Sequence, residues 1–498
     1  GGLGLNVGNQ KSATSAAVDI SQVTNTITAS ITGGTYSHLN DFITQALIAT
    51  RQVNAAAAVS AVPKSQETSY AFAGAAAWNE ITNENTAKIK GTTIKDTGSV
   101  KVTSRDLLYD SDAAEPYQDL LDRDSAEMSF IDKEGKCYYN GLDTATNTAD
   151  LATVSNDRKG SLIVTAAAAG SGGGVPIGVG FALNKIDNTI TSDVTNATIK
   201  ANDVNINSSD NTLIITVGGG VAVGMSEQHG AGAGSVAWSD VTNAASSKIS
   251  NSTIDISKLD VYAANEAYIT SVSGQISGSI GKGAGGASLA FNKITNSAEA
   301  DVSGGTISGS GSSAKSARIM AENKGTIVGI GVSGSGSNTG TAVNGVLVIN
   351  EIKNDSEATI GSTTAKLQKT TTFKNIDNLS VNATDTAKIY SLSGAITAGF
   401  KGSGGGAVAV NNITGSTTAS IDYGRLDSVG NVKVTATNDS KIMTMGAGFG
   451  GAGTFAFDGA ATDGDIFRDV TASINNTVAT DTSTRIDIDA KSQGTVDS

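Results

Sequence analysis

One spacing constrains this chain more than any other: an aliphatic residue followed eight positions later by a second, with a polar stretch between. It occurs as Val23/Ile31, Ile81/Ile89, Ile186/Val194, Val241/Ile249, Ile294/Val302, Ile352/Ile360, Ile413/Ile421 and Ile466/Ile474. Successive first anchors lie 58, 105, 55, 53, 58, 61 and 53 residues apart. The interval of 105 equals about two units, or one unit plus an insertion. A constant internal length repeated at a period of this size is the mark of a repeat architecture. One such unit cannot bury its own apolar face, so its neighbours must do so by stacking.

Around the anchors, Val and Ile alternate with Thr, Asn, Ser and Asp, the period-two pattern of strands. The stretch ASLAFNKITNSAEADV at 287–302 reads as a strand, a polar corner at Thr295-Asn296-Ser297, and a second strand. A second set of pairs follows downstream: Ile206/Ile214, Val261/Ile269, Ile319/Ile327, Val381/Ile389, Val434/Ile442 and Ile488/Val496. The gap between the two sets varies from 12 residues (194 to 206) to 21 (360 to 381), the tolerance expected of a loop. Two corners per unit predict two coils per repeat of about 53 residues. Eight units then give a rod of about 16 coils, about 75 to 80 Å long at 4.8 Å per coil. The fold class is all-β, a parallel β-helix solenoid.

Asn recurs at matching positions, as Asn83, Asn188, Asn296 and Asn354 in the corner and as Asn79, Asn184, Asn292, Asn350 and Asn411 two residues before the anchor. These are expected to be structural corner residues whose amides hydrogen-bond up the axis. Gly-rich runs at 170–180, 230–235, 281–286, 402–410 and 446–453 precede most anchors. None leads into a helix pattern, so close backbone approach explains them better than a phosphate cradle.

The pattern lapses twice. Residues 105–157 hold Pro116, Cys137 and the tyrosines Tyr109, Tyr117, Tyr138 and Tyr139, and read as an inserted mini-domain with a short helix near Tyr117 to Ser129. Residues 35–52 read as a smaller excursion, with a pattern open to a helix. The expected organisation is therefore repeats 1–2 over 1–104, the insertion over 105–157, and repeats 3–8 over 158–498. Both ends fall inside the repeat pattern without an evident capping repeat, so a segment of a longer chain is expected.

Composition removes several function classes. A net charge of −13 with scattered acids disfavours nucleic acid and anionic membrane surfaces. No apolar run reaches the roughly 18 to 20 residues of a membrane helix. One Cys excludes a disulfide framework, and two His, His38 and His229, leave no nucleophile, base and orienter set. Asp463, Asp465 and Asp469, or Asp487 and Asp489, are the nearest approach to the acidic clusters of polysaccharide-cleaving coils; exposure on a rod explains them more simply. No calcium loop pattern is present, and no metal or cofactor is expected. Binding is best sought at Tyr109, Tyr117, Tyr138 and Tyr139, whose rings would offer contact area at low entropic cost if exposed, or close the mini-domain core if not.

The repeated order of small-residue run, N-x-I-x-N, A-x-I and V-x-A resembles the passenger regions of leukotoxin-like, filamentous-haemagglutinin-like adhesins exported by type V secretion. The resemblance covers nearly all residues outside 105–157 and 35–52. It implies a right-handed coil, export across two membranes and an extracellular or outer-membrane-surface location. The expected function is a non-enzymatic surface filament or adhesin stalk with a protein or glycan receptor. A self-assembling fibre, with Gly-rich faces packing laterally or coils stacking end to end, is the alternative. A secreted toxin and a carbohydrate-active enzyme rank behind both.

Overall fold

The computed structural model describes residues 2–7, 12–62, 69–106, 129–131, 137–139, 142–143, 160–311, 314–361, 370–481 and 484–498. Among these, strands are the only regular elements, and all but a small antiparallel patch form one sheet of parallel strands. Each repeat runs out along one long strand and back along another. The outbound strands are Ser12–Thr32, Tyr70–Lys90, Val175–Thr195, Gly230–Ile256, Gly283–Gly309, Thr341–Ile360, Gly402–Asp422 and Ala456–Asn475. Each pairs in parallel with its equivalent one repeat away, so Val23, Ile81, Ile186, Val241, Ile294, Ile352, Ile413 and Ile466 form one continuous row. On the return side Ile206, Val261, Ile319, Val381, Val434 and Ile488 form another. The sequence intervals are thus the strand registers themselves.

Two expectations need correction. Each repeat contributes one coil and not two, because the stretch between paired anchors does not turn: Thr295-Asn296-Ser297 lies inside Gly283–Gly309, and inward and outward residues alternate straight through it. Eight outbound rungs separated by seven spacings of about 4.8 Å make a stack about 34 Å tall, half the expected length. The bends lie elsewhere. Asn196, Asn251 and Gly304, with φ of 52°, 50° and 69°, close the outbound run in a left-handed conformation that Asn and Gly adopt most readily.

Residues 35–52 are likewise no helical excursion. They are strands Thr35–Ser37 and Asp41–Ile48 and the start of Thr50–Ala61, in register with the next rung through Phe42↔Val100 and Thr44↔Val102. Phe42, Thr44, Ala46 and Ile48 alternate inward, a strand period obscured in sequence by the aromatic and polar residues around it. The interval of 105 is one unit plus an insertion, since Ile81 pairs directly with Ile186.

The insertion enters at a single point. Asp106 lies over Ile48 and Ser161 over Thr50, so only Ala49 of the rung below separates the positions where the chain leaves and returns. In the rung above, Ser161 pairs with Thr212, and only Asn211 separates it from Asp210. The stretch 107–160 therefore stands where its neighbours carry one residue. Its exit and entry are about 7 Å apart, the span of two strand residues. Within it, Ser129–Ile131, Cys137–Tyr139 and Leu142–Asp143 form the antiparallel patch.

Each rung is wide at one end and thin at the other. At the wide end, Ile249, Ile254, Ile256, Leu259 and Val261 pack from both sides of the bend into a continuous aliphatic core, and equivalents in other rungs extend it. Toward the opposite edge, the outbound and return backbones converge. A side chain on Gly220 would begin 2.1 Å from the Gly234 carbonyl oxygen, and one on Gly180 2.2 Å from that of Gly219. Close approach is what the Gly-rich runs provide.

Candidate functional site

The interior of the stack is banded. Between the wide aliphatic core and a second row of isoleucines runs a polar row in which amides face along the axis. Asn25 Nδ2 donates to Asn83 Oδ1 at 2.9 Å, Asn83 to Asn188 at 3.0 Å, and Asn296 to Asn354 at 3.0 Å. Two residues on from these anchors toward the thin edge, Asn79 donates to Asn184 at 3.0 Å, Asn292 to Asn350 at 2.8 Å, and Asn350 to Asn411 at 2.8 Å. Apart from the half-buried Asn25, these side chains are buried in straight strands, so the placement at corners is corrected while the axial hydrogen bonding is observed. An amide supplies both a donor and an acceptor, so stacking at the rung spacing satisfies it without water.

Across the interior, the return strands carry Asp210, Asn265, Asn323, Asp385 and Asn438 in one row, with Asp106 next in register. Asp106 and Asp210 make a buried carboxyl pair at the foot of the insertion. Ser161 Oγ donates to Asp106 Oδ2 at 2.6 Å, and Asn188 Nδ2 reaches both Asp106 Oδ2, at 3.1 Å, and Asp210 Oδ1, at 2.9 Å. Burial raises the Asp106 carboxyl well above its usual range, and the Asp210 charge adds to this. Burial raises Asp210 to about 6, opposed by hydrogen bonds from Asn188 and from protonated Asp106. Both carboxyls are buried, and two carboxylates this close disfavour being ionised together.

Farther along, the Asn row ends in a substitution. Gly415 follows Asn354 in register and Arg468 follows Gly415. The Arg468 guanidinium enters the interior, forms a buried ion pair with Asp385, and donates to the Asn354 carbonyl at 3.1 Å. Gly415 leaves the room: a Cβ there would lie 2.7 Å from Arg468 Nη1.

The outer surface divides sharply. Over the wide end it is polar, and two rows alternate in charge. Lys185 pairs with Glu80 at 3.1 Å in the row Glu80, Lys185, Asp240, Lys293, Glu351, and Lys88 pairs with Asp193 at 3.0 Å in the row Lys88, Asp193, Lys248, Asp301. Over the thin end the outward residues are apolar on both faces. One row reads Trp78, Leu183, Trp238, Phe291, Ile349, Val410, and on the return face another reads Ala166, Val217, Val272, Ile330, Leu392, Met445. Trp78 is 50% exposed and Phe291 41%. Sequence reading missed this surface. Its signal was the failure of alternation in runs such as GVLVI at 345–349 and AVAV at 407–410, where consecutive apolar residues must serve both faces.

The residues expected to bind are divided. Tyr109 and Tyr117 lie outside the described residues, as does most of the expected helix, although Ser129 itself begins a strand. Tyr138 and Tyr139 are adjacent in strand Cys137–Tyr139, where Tyr139 pairs with Ser129 and with Leu142. His38 sits in a bend after Thr35–Ser37 and His229 just before Gly230–Ile256, at opposite ends of the rung, so they share no site. Asp463, Asp465 and Asp469 point outward from the last outbound strand, while Asp487 and Asp489 pair locally with Arg485 and Lys491. Among the described residues, no group of three or more His, Cys, Asp or Glu is arranged to hold a metal.

No family model, curated protein or solved structure matches the chain.

Proposed function

We propose that the chain is a right-handed parallel β-helix serving as the stalk of a non-enzymatic bacterial surface adhesin, secreted by a type V route. Its insertion at 107–160 contacts a protein or glycan receptor on a cell or matrix. The observation that carries this reading is the single-residue slot between Asp106 and Ser161: a stack of rungs that keeps register across a large decoration is a support for what it displays. Tyr109, Tyr117, Tyr138 and Tyr139 supply the aromatic contact area, and protein–glycan or protein–protein recognition needs no cofactor. The interior Asn rows bond from rung to rung, which gives them a part in holding the stack together.

The experiment replaces 107–160 by one Asn, copying the Asp210-Asn211-Thr212 connection of the next rung. The shortened chain is expected to keep its strand signal by circular dichroism and to lose attachment to cells and to immobilised matrix protein. Retained attachment would place recognition on the coil. Absence of attachment by the intact chain to every cell and matrix surface tested would remove the adhesive role.

A further inference from the structure

The thin end of the stack carries an outer surface that no soluble, isolated rod requires. On the outbound face, the four outward rows beginning at Thr14, Ala16, Val18 and Ile20 continue through seven rungs as far as Gly404, Gly406, Val408 and Val410, and contain no charged residue. Thr14 is the one hydroxyl among them. At about 32 Å² per outward position, from 6.6 Å between alternate residues and 4.8 Å between strands, the face covers about 900 Å². That exceeds the few hundred Å² usual for the largest apolar patch on a monomer and matches the roughly 800 Å² each partner contributes to a stable complex.

Its relief suits another sheet. The row containing Gly74, Gly234, Gly345 and Gly406 is a shallow groove beside the ridge of Phe181, Leu289 and Val408. Ridges of one flat sheet seated in grooves of another give dry packing at about 10 Å. The border is complementary as well. The alternating row Glu80, Lys185, Asp240, Lys293, Glu351 flanks the patch, and a copy displaced by one rung sets each Lys of that row against an acid.

We propose that this face binds a second copy of the chain, face to face. A lipid surface is the weaker occupant, because the connections at the thin end carry exposed Glu227, Lys282 and Lys401, charges that an apolar layer would have to desolvate. The pairing is independent of the adhesive role: a chain that associates but attaches to nothing removes that role and leaves this inference standing.

Sedimentation of the intact chain from about 1 to 100 µM tests it, at or above the micromolar-to-picomolar dissociation constants of interfaces of standard size. The wild-type mass is expected to rise above the 49.9 kDa monomer. Leu289→Asp with Phe291→Lys should raise the dissociation constant at least about thirtyfold, the weight of a central apolar contact. Phe181→Lys on the same face provides a second disruption should the first variant lose its strand signal. Thr242→Lys, on the polar part, should associate as wild type. A wild-type monomer throughout overturns the inference, and so does association that survives both apolar-face variants. Monomers that float with phosphatidylcholine vesicles overturn it in favour of lipid.

Discussion

Replacing Asp210 by Asn should stabilise the protein at neutral pH, although it removes a buried hydrogen-bonding group. Asp210 is raised from 3.8 to about 6. The folded state therefore binds its proton more tightly than the unfolded state, and the associated stability is fully present below about pH 4. It is lost as pH rises from about 4 to about 6. Two pH units correspond to about 3 kcal/mol, the cost of holding the ionised carboxylate inside the stack at pH 7. Asp106, raised further, continues the decline at higher pH. The introduced amide would be uncharged and would keep an acceptor for Asn188. It would also match Asn265 and Asn323, which fill this row one and two rungs away and bond to each other at 2.9 Å. Urea titrations followed by circular dichroism, from about pH 4 to about pH 8, should show the variant more stable by about 3 kcal/mol at pH 7 and equal to wild type near pH 4. The converse change, Asn265→Asp, should destabilise by a similar amount at neutral pH and not in acid. Equal or lower stability of Asp210→Asn at pH 7, with an unaltered pH slope, would refute the reasoning.

Three further outcomes follow from the packing. Gly220→Val should cost about 3 kcal/mol or more, because the facing Gly234 backbone cannot withdraw, whereas Gly278→Val, with open space around it, should be tolerated; thermal melts of the pair decide this. Asn350→Ala orphans the amide donor of Asn292 and the acceptor of Asn411, a loss of about 2 to 4 kcal/mol in denaturant titrations. Arg468→Leu leaves the Asp385 carboxylate buried without its partner and should cost about 3 to 5 kcal/mol, much of it regained when Asp385→Asn is added, as a double-mutant cycle would measure.

The anchors were legible because every row is built from the same residue type at the same register: the interval from Ile294 to Ile352 in the chain is the strand pairing in space. The number of coils was not. Asn296 between Thr and Ser has the composition of a turn, and no local signal distinguishes an amide at a bend from one satisfied by its equivalents above and below. The polar interior was misplaced for the same reason. Asp106 and Asp210 become visible only when repeats are laid in register, where two carboxylates stand in a row otherwise rich in Asn. The Tyr cluster of the insertion has no repeat to calibrate it, and its sequence shows only that it differs from the coil.

The slot at Asp106 and Ser161 separates two evolutionary problems. A segment whose ends meet the scaffold at the span of a dipeptide can be lengthened, exchanged or lost by recombination without retuning the hydrogen-bond ladder on either side. Variation in the inserted part would then leave the supporting architecture unchanged.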